Sequence, residues 1–173
     1  MVVERTTIIG ISPGSRYLGV AILKGSKLID WRIKVIRAKT LIERINILER
    51  IILKLNRIYR PNYIALKGVH SSRSSRQLDG LLIAIREFSE RLEIDIHEYS
   101  LEKIKAILLD GKKGNKRMLG EHLASMYPVL YRELREKKNT DKYRIKIFEA
   151  VAVATVHSRI TQSCPRIGRG CGH

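Results

Sequence analysis

The side chains best suited to chemistry fall in a few short stretches. Ser12 precedes a Pro13-Gly14-Ser15 turn, Lys67 closes an apolar run, and Lys146 and Glu149 stand three residues apart in a helical pattern. The loop His70-Ser71-Ser72-Arg73-Ser74-Ser75-Arg76 combines two guanidinium groups with four hydroxyls, all able to donate to phosphate oxygens. Lys112, Lys113, Lys116 and Arg117 surround Gly114, where a predicted helix start adds free backbone N–H groups to an anion site. Arg16 lies just beyond the first turn. This set suits contact with phosphate backbones, which positions a nucleic acid and carries little base sequence information. The same residues have plainer uses. Ser12 can cap the turn before Pro13, and Glu149 can pair with Lys146 three residues away. A separate pattern, His157-x6-Cys164-x6-Cys171-x-His173, offers four zinc ligands, but its cysteines are further apart than the usual two to four residues, so a basic tail without metal is the favoured expectation.

Charge narrows the partner. Lys and Arg number 34 against 17 Asp and Glu, a net +17 over 173 residues, and such a surface repels itself unless a polyanion shares it. Nucleic acid is expected before an anionic membrane. No apolar run approaches the ~18 residues of a spanning helix, and MVVERTTIIG is too short and too early in its acid for a signal peptide, so a cytoplasmic location is expected. Aromatic residues make up only 6%, which argues against a single-strand binder built on stacked rings. With 44% apolar residues the chain can fill one core. Both cysteines lie in the last ten residues, so that core must stand without a disulfide frame.

The periodicities supply the elements. Thr6 to Ser12, Tyr17 to Lys24 and Lys27 to Arg37 alternate with period two and read as three strands, the last two joined by a Gly25-Ser26 hairpin. Thr40 caps a helix whose stripe of Leu41, Ile45, Leu48, Ile52 and Leu55 is flanked by a second ridge of Ile47, Ile51 and Ile58, so that it could be covered by the sheet and by another helix or subunit. Asn62 to Lys67 and Ile94 to Tyr99 read as strands. Helices are predicted over Gln77 to Leu92, from Ser100 through Leu109, over Lys116 to Tyr127 and over Lys142 to Arg159, with a loose tail from Gln162. The order, βββ-α-β-α-β-α-α-α, requires a mixed sheet with helices on both faces.

Four segments resemble the RuvC-type Holliday-junction resolvases of the ribonuclease H-like superfamily. Ile9 to Ala21 (IGISPGSRYLGVA) is similar to that family's G-I-D-P-G-S-x-x-x-G strand and hairpin; Ile64 to Val69 (IALKGV) to its apolar strand ending in Glu; Gly114 to Pro128 to its Gly-x-x-Lys helix segment; and Phe148 to His157 (FEAVAVATVH) to its last helix. The resemblance implies an α/β fold of three layers, a five-stranded mixed sheet made of an antiparallel meander of three strands and two parallel strands, with the domain at 1–160 and the basic tail at 161–173. It also implies a site of four carboxylates holding two divalent cations. Carried onto this chain, those four positions are Ser12, Lys67, Lys146 and Glu149, and one acid remains.

The leading expectation is therefore a RuvC-like protein without a catalytic metal or other cofactor, which binds branched or structured DNA, or RNA, through Arg16, Lys67, Arg73, Arg76, Lys112, Lys113, Lys116, Arg117 and Lys146. Two rivals stand beside it. One is an active, Mg²⁺-dependent junction endonuclease whose carboxylates have moved, with Asp30, Asp79, Asp110 or Asp141 as replacements. The other is a basic scaffold subunit of a protein or ribonucleoprotein assembly using the helix Leu41 to Ile58. The resemblance and that helix also suggest a homodimer.

Overall fold

The computed structural model describes residues 5–135 and 141–163, and of residues 141–143 the backbone alone. Five strands form one sheet in the order β3-β2-β1-β4-β5. Strands β1 (Thr7–Ser12), β2 (Tyr17–Lys24) and β3 (Lys27–Val35) make the antiparallel meander; β4 (Tyr63–Lys67) and β5 (Asp95–Tyr99) run parallel to β1. Gly25 turns the hairpin with a positive φ of 60°, as a tight primed turn requires. The expected sheet is present strand for strand.

Alternation divides the core. Ile9, Ile11, Ile64 and Leu66 point to the face covered by α1 (Leu41–Tyr59) and α2 (Arg76–Arg91), where they meet Leu48, Ile52, Leu81 and Ile85. Ile8 and Ala65, one residue out of phase, point to the other face and meet α3 (Leu101–Leu108), α4 (Lys116–Met126) and α6 (Asp141–Ser163). Because the side-chain period of a strand is two, Ser12 and Lys67 fall on this second face with Ile8 and Ala65. The central part of α6 is buried on every side, which is why its sequence shows no polar stripe.

Close packing of α6 depends on two glycines. A Cβ on Gly10 would lie 2.1 Å from the carbonyl oxygen of Ala150, and one on Gly19 would lie 2.0 Å from that of Lys146. Glycine at both positions lets the helix backbone rest on β1 and β2, and Gly19 is paired with Ser12 across the sheet. The first turns of α6 are thereby set directly above Ser12.

Helix α1 has the capping box expected of Thr40: its hydroxyl takes the Glu43 N–H while the Glu43 carboxylate takes the Thr40 N–H. Four features differ from expectation. A short helix, α5 (Tyr131–Arg135), and single 3-10 turns at Ser71–Arg73 and Pro128–Leu130 are too brief to show a period in sequence. Helix α6 continues through Gln162 to Ser163 where a loose tail was expected, so it passes the domain limit placed at residue 160. The Thr161, Gln162 and Ser163 side chains each bond back to the preceding turn. Residues from 164 onward lie outside the described residues.

Candidate functional site

Four elements bring five side chains to a single point. Glu149 of α6 is 2% exposed, and its Oε2 accepts a 2.7 Å hydrogen bond from the Ser12 hydroxyl at the end of β1. The same oxygen lies 3.3 Å from Lys146 Nζ, one helical turn back, and 3.5 Å from Lys67 Nζ at the end of β4. Oε1 faces Lys116 Nζ at 3.4 Å, at the first residue of α4. Lys146 also donates to the Pro13 carbonyl at 2.8 Å. One buried carboxylate thus serves three ammonium groups.

The electrostatics follow from burial. Desolvation pushes the Glu149 carboxyl up, but Lys146, Lys67, the Ser12 hydroxyl and Lys116 together hold it below the usual carboxylate range. Lys67, 9% exposed, is shifted down, foremost by burial; Glu149 pulls it back up, while Lys146 and Lys116 press it further down. Glu149 is the counter-ion that allows Lys67 to stay charged inside the fold.

This cluster forms the floor of a hollow of about 670 Å³ that is also lined by Arg16, Arg44, Arg73 and Tyr17. A second hollow of about 560 Å³, lined by His70, Ser71, Ser72, Ser100 and Lys105, shares Lys67, Val69, Arg73 and Lys116 with the first. The two make a continuous groove across the end of the sheet. In the first hollow six cationic side chains meet one carboxylate.

Sequence reasoning placed Ser12, Arg16, Lys67, Arg73, Lys116, Lys146 and Glu149 at this site, and the fold brings them together. Arg76, Lys112, Lys113 and Arg117 line neither hollow, and Arg117 is exposed and paired with Glu121 at 2.8 Å. Two readings change. Ser12 is turned inward to Glu149 rather than capping the turn before Pro13. Arg44 was not singled out in the sequence, yet it donates to the Ser15 carbonyl and lines the groove. It lies in the first turn of α1, which abuts the β1–β2 turn, a contact that helical periodicity does not encode.

The replacement acids do not converge. Asp30 is held by Arg32 and by the Tyr59 hydroxyl on β3, Asp79 accepts from Ser74, and Asp110 occupies the turn after α3. The Asp141 side chain lies outside the described residues. Among the described residues no three His, Cys, Asp or Glu side chains group closely enough to share a metal ion.

Of the four zinc ligands only His157 is described; Cys164, Cys171 and His173 lie outside the described residues. His157 is 2% exposed, with Nδ1 2.7 Å from the Tyr99 hydroxyl and its ring 4.6 Å from that of His97. Burial first, then the neighbouring His97, lowers its pKa from 6.5 to about 4. The fold therefore prefers the neutral ring. Its contribution to stability is complete above pH 6.5 and is lost as pH falls from there through about 4, a cost of about 3 kcal/mol. Urea midpoints should fall over that window, and His157→Leu should remove most of the slope; a slope unchanged in the variant would assign the acid sensitivity elsewhere.

The arrangement of the sheet finds its match outside the chain. A family model described as crossover junction endodeoxyribonuclease RuvC matches residues 8–157. The chain belongs to the RuvC family. The Thermus thermophilus RuvC structure is similar with a TM-score of 0.73 at 16% identity, covering 91% of this chain and 96% of that one. The same RuvC in complex with a Holliday junction substrate gives a TM-score of 0.69 at 18% identity, covering 92% and 96%. The yeast mitochondrial Holliday junction resolvase Ydc2 gives 0.71 at 9% identity, covering 95% and 82%. At these identities the structures share the ribonuclease H-like resolvase fold. None of the curated proteins is similar enough in sequence to match.

Proposed function

We propose that this RuvC-family chain holds branched or structured nucleic acid by its phosphates and does not hydrolyse it. The observation that carries the reading is the Glu149 carboxylate, buried between Ser12, Lys67, Lys116 and Lys146. The family resemblance brings with it a divalent metal centre at these positions. A hard cation such as Mg²⁺ needs several oxygen ligands, and an ammonium group neither ligates it nor tolerates it nearby. Here one carboxylate is available and both its oxygens face ammonium groups, so these residues do not fit a pair of metal ions. What they fit is a phosphate.

The lysine ammoniums act as point charges on phosphate oxygens, and the guanidiniums of Arg16, Arg44 and Arg73 add directed donors along the groove. Contacts of this kind read the path of a backbone. Branched DNA is the first substrate in this reading, supported by the relative whose structure includes a Holliday junction substrate; structured RNA is the second. A second copy of the chain is part of the proposal, since a four-way junction offers equivalent arms to a symmetric pair.

Labelled four-way junction and duplex of equal length, titrated with the protein at increasing KCl, test the binding half. The junction should bind at least ~10-fold more tightly, and log K should fall linearly with log salt. Arg73→Ala and Lys116→Ala should each reduce that slope by about one. A shift insensitive to salt, or none, would overturn the proposal and favour the scaffold reading.

A further inference from the structure

On the face of the sheet opposite to the one that carries α6 and Glu149, a trough of about 320 Å³ runs between β3 and α1. Its floor is the second apolar ridge of α1, Ile47, Ile51 and Ile58, with Leu55 of the first stripe beside it; Ile58 is 57% exposed. From Ile47 to Ile58 the ridge extends about 16 Å, or three helical turns. Its walls are cationic on both sides. Arg32 and Lys34 project from β3, and Arg50 and Lys54 from α1. The one acid present, Asp30, is already held by Arg32 and the Tyr59 hydroxyl. Among the described residues Lys34, Arg50 and Lys54 have no acidic partner.

We infer that this trough is a docking site for an acidic amphipathic helix of a partner protein. An apolar floor between two rows of positive charge complements a helix with an apolar stripe between two rows of carboxylates. A nucleic acid would satisfy the walls and leave the aliphatic floor unmatched. A second copy of this chain seated on the same face would set Arg32, Lys34, Arg50 and Lys54 of each copy against those of the other, so like-charge repulsion disfavours it. The inference stands apart from the phosphate groove, with which the trough shares no lining residue.

The probe is a short, fluorescein-labelled helical peptide with leucines along one face and glutamates elsewhere, followed by anisotropy against the full chain. It should bind. Exchanging the leucines for serine, or the glutamates for lysine, should abolish binding, and Ile58→Asp and Lys54→Glu should each weaken it by roughly tenfold. Ile58 and Lys54 are exposed, so both variants should fold and retain junction affinity within about twofold. Failure to bind the leucine-glutamate peptide, equal binding of the serine peptide, or displacement of the peptide by junction DNA would overturn the inference. So would a dimer of the natural chain that Ile58→Asp dissociates, because that would assign the trough to a second copy.

Discussion

Glu149→Gln is expected to lose about 3–5 kcal/mol of folding stability near neutral pH and, in the same protein, to bind junction DNA more tightly. The loss arises because breaking a buried ion pair by removing one partner leaves uncompensated charge inside the fold. Here the residue removed serves Lys67, Lys116 and Lys146 together. Affinity rises because the carboxylate is, among the described residues, the only anion beside six cations in that hollow; a roughly tenfold gain would correspond to about 1.4 kcal/mol. Stability and binding therefore oppose each other at one residue, as at functional sites that carry concentrated charge.

The pH dependence distinguishes this from a simple packing defect. In the natural chain Glu149 titrates below its ordinary range, so its contribution is present above the ordinary carboxylate pKa and is lost as pH falls through the lowered one. In Glu149→Gln the Lys67 ammonium loses the influence that raised its pKa, and its shift downward deepens. A lysine with a depressed pKa gains folded-state stability as pH rises toward its ordinary value near 10.5, because the neutral amine needs no counter-ion. The gap in urea midpoint between variant and natural chain should narrow as pH rises through the alkaline range toward that ordinary value. A gap constant over that range would mean that Lys67 is not the residue left stranded.

The second large effect is expected from the triple substitution Ser12→Asp, Lys67→Glu and Lys146→Asp, made with Glu149 in place. Without metal the four acids repel one another at a buried point, and the variant should be destabilised by about 3–5 kcal/mol. Mn²⁺ or Mg²⁺ should restore the melting temperature through binding to the folded state alone, with a matching heat in titration calorimetry. Junction affinity without metal should fall by more than tenfold, since two cations of the groove are reversed. A melting temperature that does not respond to divalent cations would contradict the assignment of Ser12, Lys67 and Lys146 to the metal-holding positions.

Much of this was legible before any coordinates, for reasons that can be named. Strand alternation and the Pro13-Gly14 turn fix the parity of β1, and that parity alone sends Ser12 to the α6 side. The spacing of Lys146 and Glu149 puts both on one face of α6. That Ser12, Lys67, Lys146 and Glu149 converge was what the resemblance to the RuvC-type resolvases implied, and the charge of each followed from its residue type. Lys116 was chosen as a phosphate ligand at a helix start, and its ion pair with Glu149, made by the docking of α4 against α6, had no signal in the sequence. Arg44 was missed because its role depends on how α1 docks against the first turn, a tertiary contact with no local signature. Lys112 and Lys113 look equivalent to Lys116 in sequence. The turn that ends α3 at Asp110 and Gly111, both with positive φ, leaves them on the exposed side.

We propose that this RuvC-family chain, with Lys67 and Lys146 beside its buried Glu149, holds a junction without cutting it. The most direct measurement incubates end-labelled four-way junction with the natural chain in Mg²⁺ and in Mn²⁺, reading bound fraction and strand cleavage from the same samples over time. The account predicts a salt-sensitive complex with intact strands in both metals, at protein both below and above the junction concentration. Metal-dependent cleavage that turns over with protein below the junction concentration, and that is abolished by Glu149→Gln, would contradict it.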